Sequence, residues 1–385
     1  EIKQQNAPQQ QPLNNLRMKQ VGNITVAAVS DDIPSMEESF TVSGALGGFS
    51  GGGLFGSTRG NIGIGVSDID VLGIKGRAER VLLAIDGSKN ILVDEKGGMA
   101  SYNIIKQEIT DIVTNLSAGT LFNVVFFERG NMKFFKPEPV PAGTEVVQEL
   151  VQWIAPINED YENLGLENTV KPALNRVVDT LVADELPRNQ WYDGNEIGFL
   201  TQVFLQQSID AAFIITGKHE GFKRIERDYT ASEEADWQEY ISSPDYQEQL
   251  RLFNEENPQA KARAEAKLRR INRDRAAEGL PPKVFTGNIV DAMDIERDHP
   301  HPGYRPRKYI ELRTVEKYFR DVVDRLYSVR GANPPSINVI LFLAEDEELD
   351  EEAEDGLQDY VRFFSGKYRI LRGLSEIRSA ANSSE

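Results

Sequence analysis

The sequence has no cysteine, which excludes disulfide scaffolds, thiolate-held zinc or iron–sulfur centres and thiol nucleophiles. It has only three histidines, His219, His299 and His301, so histidine-rich metal hydrolases and Ser-His triads have little to draw on. Positive charge is also short: 43 Lys and Arg stand against 61 Asp and Glu, for a net charge of -18. A chain of that sign repels phosphate backbones and anionic lipid, which argues against nucleic acid as a partner. No apolar run approaches the roughly 18 residues of a membrane helix. The chain starts at Glu1 rather than methionine, so a signal or membrane anchor upstream, removed by processing, is an expectation. What is present is 40% hydrophobic content over 385 residues, a length that buries roughly three quarters of its unfolded surface.

Residues 1–13 are rich in Gln, Asn and Pro and read as a tether. Residues 44–65 hold ten glycines in twenty-two positions, interleaved with Leu46, Phe49, Leu54, Phe55, Ile62 and Ile64, and read as a flexible arm. A phosphate-cradling loop would need a preceding strand, a following helix and a Gly-Lys-Ser/Thr ending, and the stretch has none of these. The arm is assigned to 1–78. Beyond it, strands alternate with helices, the pattern of an α/β domain over 79–385. Strands are predicted at 81–85, 121–127, 132–135, 210–216 and 337–344, and helices at 102–116, 144–154, 169–182 and 314–326. The order is that of a doubly wound, mostly parallel central sheet. About a hundred residues separate the last two strands, too many for a simple connection, so a helical insertion is placed at about 222–300. Within it, Trp237, Tyr240 and Ile241, then Tyr246, Leu250 and Phe253, suit two helices, the second capped by Asp245, and 259–279 a third. This last carries Lys261, Arg263, Lys267, Arg269, Arg270, Arg273 and Arg275. It is a solvated basic face or a docking surface for an acidic partner, with Lys267 and Arg270 as candidate contacts.

Asp86-Gly87-Ser88-Lys89-Asn90 follows a buried strand and precedes a helix. In an open α/β sheet such a loop faces the crevice at the carboxyl edge. One carboxylate with alternate hydroxyl and amide oxygens on a tight loop supplies up to three ligands to a hard cation. Asp86 and Ser88 resemble the start of the Asp-x-Ser-x-Ser metal-ion-dependent adhesion site of von Willebrand factor A domains, with Asn90 in place of the second serine. The resemblance implies a threonine, placed at Thr169 with Thr144 as the lesser candidate, and a closing aspartate after strand 210–216. That position reads Thr216-Gly217-Lys218-His219-Glu220, with glycine where the carboxylate belongs and Glu220 as a substitute through a shifted loop. The site is therefore expected to be degenerate, holding no cofactor or only weakly bound Mg²⁺ or Mn²⁺, and Lys89 becomes a candidate partner contact.

Asp94-Glu95-Lys96-Gly97-Gly98, Leu121-Phe122-Asn123-Val124, Trp153, Gly279-Leu280-Pro281-Pro282 and Ile370-Leu371-Arg372-Gly373-Leu374 together resemble the envelope-associated von Willebrand A-like proteins of the Planctomycetes and Verrucomicrobia group. That resemblance implies a non-enzymatic protein-interaction or adhesion module of the bacterial cell envelope. It would be extracytoplasmic, tethered to the inner membrane by an upstream helix, with protein partners. The alternative it implies is a structural or mechanical subunit beside a proton channel of the TolQ/ExbB type. Other constellations carry less. His299-Pro300-His301-Pro302 lacks further ligands and reads as a loop, Trp191, Tyr192 and Trp237 as local core, and adjacent acids such as Asp184 and Glu185 cannot face each other across a sugar. Ser88 has no base except His219 at the neighbouring strand end.

Overall fold

The computed structural model describes residues 65–187 and 193–382, so the tether and most of the glycine-rich arm lie outside the described residues. Among the described residues no helix is long and apolar enough to cross a membrane.

The fold is α/β with a mostly parallel seven-stranded sheet. An antiparallel ribbon comes first, β1 (Ser67–Val71) and β2 (Ile74–Ala78), followed by the sheet strands β3 (Arg80–Asp86), β4 (Leu121–Glu128), β5 (Asn131–Phe134), β6 (Val140–Pro141), β7 (Ala211–Thr216), β8 (Ser336–Leu343) and β9 (Tyr368–Arg372). The sheet order is β5-β4-β3-β7-β8-β9, with β6 beside β4. The β3, β4, β7, β8 and β9 ladders are parallel, and β5 is an antiparallel edge strand. The chain starts in the middle at β3, builds outward to β4, then reverses to β7, so the topological switch lies between β3 and β7.

Strand residues alternate between two cores because successive side chains leave opposite faces of a sheet. Val81, Leu83 and Ile85 of β3 join Phe122, Val124 and Phe126 of β4 on one face, covered by α1 (Gly98–Thr114), α2 (Thr144–Ile154) and the ribbon. Leu82 and Ala84 join Val125 and Phe127 on the other. That face is covered by α3 (Leu181–Glu185), α4 (Asp193–Gln206), α8 (Leu312–Leu326) and α9 (Glu351–Phe363), and α10 (Gly373–Asn382) returns to the first face.

Four expectations are corrected. Residues 67–78, assigned to the arm, form the ribbon, and Ile69, Val71, Leu72 and Ile74 are buried in the first core. The helix expected at 169–182 is absent: Val170 instead pairs with Met132 on the open edge of β5, at 2.8 Å for both hydrogen bonds. Pro172 biases Lys171 to an extended backbone, and an unpaired sheet edge supplies the partners that a helix would have supplied. The third helix is α4, in which Ile197, Phe199, Leu200, Val203, Phe204 and Leu205 are all buried. In the insertion, α5 (Ala231–Ile241) is followed by one continuous helix, α6 (Pro244–Ala277), with Pro258 inside it, rather than two helices. Its N-cap is Ser243, whose hydroxyl accepts from the Tyr246 N–H, with Pro244 at the first helical position where its missing donor costs nothing. Asp245 is inside the first turn. The insertion has its own small core, Ala260, Ala264, Val290 and Met293, closed by α7 (Ile289–Ala292).

Candidate functional site

A cleft of about 560 Å³ lies over the carboxyl ends of β3, β4 and β7, at the topological switch. Asp86 ends β3, Glu128 ends β4 and Thr216 ends β7, and all three line it with Ser88, Lys89 and Asn90. The opposite wall is a strap of the insertion, Pro282 to Gly287. Two ion pairs fasten that insertion to the short turn Asp94–Lys96, Arg275 to Asp94 at 3.0 Å and Lys283 to Glu95 at 3.4 Å.

Asp86 is 5% exposed and its carboxylate is already used. Oδ1 accepts the Ser88 N–H at 2.8 Å, while Oδ2 accepts the Thr216 hydroxyl at 3.1 Å and the Gly217 N–H at 3.3 Å. Burial pushes its carboxyl above the usual range against the pull of those donors from Ser88, Gly217 and Thr216. Ser88 caps the turn Lys89–Ile91, its hydroxyl accepting from the Asn90 N–H. The buried Asn158 clamps the loop from behind, donating to the Gly87 carbonyl at 3.1 Å and accepting from Gly165 at 2.7 Å.

A buried positive charge under the site comes from Lys96. Its ammonium is buried, donates to the Gly217 carbonyl at 2.7 Å and faces Glu347 at 3.7 Å. Burial pulls its pKa down, and the charges of Glu347 and Asp86 oppose that fall. Gly217 is tightly seated: a Cβ there would lie 3.3 Å from Lys96 Nζ and 3.3 Å from the Asn90 carbonyl.

Of the sequence candidates, Asp86, Ser88, Lys89 and Asn90 come together in the cleft, and Thr169 and Glu220 do not join them. Thr169 adjoins Val170, which is held on the β5 edge. Glu220 is engaged by Lys218 at 3.3 Å and Arg224 at 3.4 Å and so is no substitute for the missing aspartate. Lys267 donates to the Met293 carbonyl at 2.6 Å within the insertion, a packing role, whereas Arg270 is exposed on α6. His219 is 1% exposed, with its ring edge-on to Tyr360 and Nδ1 accepting from Gly221, so it is no base for Ser88. His301 stacks on Tyr304, 4.0 Å between ring centroids, and Trp237 packs with Tyr240 and Tyr246.

The donor set does not fit a divalent cation. Such an ion requires several free oxygens and net negative charge. Here the one carboxylate at the loop is taken by internal donors, Gly217 after β7 brings no second carboxylate, and an ammonium stands beside it. Among the described residues no three His, Asp or Glu side chains converge to hold a metal. Sequence reasoning missed Lys96, Asn158 and Arg129. The first lies in the Asp94-Glu95-Lys96 turn that it did single out.

No family model matches the chain, and no curated protein matches it. Among solved structures, the chain is similar to the PilB minor pilin from Streptococcus sanguinis at 12% identity and a TM-score of 0.33, over 83% of this chain and 61% of that one. The match thus spans less than two thirds of the pilin's length.

Proposed function

We propose that this chain is a non-enzymatic protein-interaction or adhesion module of the bacterial cell envelope, built on a von Willebrand A-like domain with a metal-free crevice. The observation that carries the reading is the Asp86-Gly87-Ser88 loop at the switch between β3 and β7, in a sheet of order β5-β4-β3-β7-β8-β9 with one antiparallel edge. Open α/β sheets bind ligands at that place. Partners would enter over Ser88 and Lys89, between the strand ends and the insertion strap. An upstream inner-membrane tether, extracytoplasmic, belongs to the same proposal through the family resemblance.

A photo-crosslinking residue placed in turn at Lys89 and at Val329 tests this in the cells that make the protein. Val329 is 81% exposed and lies before β8, at the amino edge of the sheet. A partner adduct from position 89 and none from 329 is the expected result. Equal adducts from both positions, or none from 89, would remove the cleft as the docking site.

A further inference from the structure

Lys89 and Arg129 both line the cleft, both are exposed, and neither side chain has a hydrogen bond or ion pair to any described residue. What sets them apart is their place: both stand at strand ends that open into one cleft. The three acids of the same cleft face inward: Asp86 accepts from Ser88 and Gly217, Glu128 from the Leu166 N–H at 3.1 Å, and Glu196 from the Gly130 N–H at 3.1 Å. The open side of the cleft therefore presents cations. Lys218 and Lys283 add to the potential from its walls, although each has a carboxylate neighbour.

Arg129 carries a second, independent sign. It sits in the two-residue turn between β4 and β5 at φ 50°, followed by Gly130 at φ 74°. A hairpin turn with both central residues at positive φ favours Asn, Asp or Gly in the first place, and a long L side chain there is strained. Leu72 has the same strain at φ 48° in the β1–β2 turn, but it is fully buried and its carbonyl accepts from Arg369 at 2.6 Å. Burial offsets the strain of Leu72. The turn of Arg129 is held by Glu196 through the Gly130 N–H and by the β4–β5 ladder, while the Arg129 side chain itself has no hydrogen bond or ion pair to a described residue; strain of this kind persists at sites that hold a side chain out for a ligand.

We propose that Lys89 and Arg129 bind a carboxylate of an acidic protein segment directly, an Asp or Glu side chain seated in the cleft, with no metal between them. This rests on the docking reading above and names its chemistry. Arginine forks match carboxylates bidentately, and a cleft of about 560 Å³ admits a few residues of an extended peptide.

The test uses a fluorescent peptide, Gly-Glu-Asp-Glu-Gly, its Gln/Asn counterpart, and inorganic phosphate as competitor, all in EDTA. The acidic peptide should bind and weaken as salt is raised, and the amide peptide should not bind. Lys89→Ala and Arg129→Ala should each weaken binding by about tenfold, the value of one lost charge-assisted contact. Arg129→Gly should weaken binding equally while raising the melting temperature by about 1–2 °C, because glycine relieves the turn. A purely structural Arg129 would lose stability instead. No binding of the acidic peptide, binding unchanged in the double variant, a requirement for Mg²⁺, or displacement by phosphate at the peptide's own concentration would overturn the proposal. Cross-links persisting from position 89 while the peptide fails would sink the carboxylate assignment and leave the docking reading intact; peptide binding without cross-links would do the reverse.

Discussion

The floor and the rim of the cleft differ in how their polar groups are satisfied. On the floor, Asp86, Thr216, Gly217, Lys96 and Glu347 form one closed set in which both Asp86 oxygens have donors and the ammonium has a carbonyl and a carboxylate. At the rim, Lys89 and Arg129 project from the same strand ends with no partner among the described residues. A closed buried set stabilises a loop and resists replacement, while an open charged pair adds little to stability and is available to a ligand. The difference separates the groups that hold the fold from those the proposal assigns to a ligand, and each side of it can be broken by itself.

The floor should give the largest effects. Asp86→Ala leaves Lys96 short of a counter-charge and strands the donors of Ser88, Thr216 and Gly217, and should cost about 3–5 kcal/mol in urea unfolding. Lys96→Met should cost about 2–3 kcal/mol by freeing the Gly217 carbonyl. The double variant should cost clearly less than the sum, since both residues belong to one network; strict additivity would show that floor to be two independent contacts. Asn158→Ala should cost about 2 kcal/mol through the Gly87 carbonyl and the Gly165 N–H.

The next effect is one of pH. Burial pushes the His219 pKa down from 6.5 to about 3. A base with a lowered folded pKa binds its proton in the unfolded chain first, so its contribution is complete above 6.5 and is lost as pH falls toward 3. That loss should run at about 1.4 kcal/mol per pH unit, and His219→Gln should flatten the profile, measured by melts across the acid range. An unchanged slope would assign acid lability to other groups. The rim should give the smallest stability effect: Lys89→Ala should change it by no more than about 0.5 kcal/mol while weakening the acidic peptide. Millimolar Mg²⁺ or Mn²⁺ should leave the melting temperature where it is. A rise abolished by Asp86→Ala would reinstate a metal site and erase the difference between floor and rim.

The central strands β3, β4, β7 and β8 were legible because each is a short continuous apolar run, the mark of a strand covered on both faces, whereas β1, β2, β6 and β9, which are short or carry charged residues, were not read. For α2 and α8 the apolar residues recur at helical spacing on one side, and both were read within a few residues of their ends. The same cue failed at α4, since a helix buried all round has no polar face to reveal its period. It also misled at 169–182, where Leu174, Val177 and Val178 pack on the core from an irregular segment. Pro172 was the available warning. At the site, Asp86, Ser88, Lys89 and Asn90 were legible because one tight loop carries them all. Arg129 had a local signal as well, an arginine where a turn of that kind prefers Asn, Asp or Gly. Lys96 and Glu347 had none, being 251 positions apart.

The sequence by itself determined the α/β class, the position of the Asp86 loop at a strand end, the absence of a carboxylate at Gly217 after the next strand, and an insertion before the last strands. These are properties of neighbouring residues, set by local backbone preference and by apolar patterning. Only the tertiary structure decided that an ammonium from the Asp94–Lys96 turn balances Asp86, that Glu220 and Thr169 lie elsewhere, that the insertion strap walls the cleft, and that Lys89 and Arg129 have no partner among the described residues. Those facts depend on which chain segments meet across the carboxyl edge, where charges from remote parts of the chain share one desolvated space and must satisfy each other or a ligand.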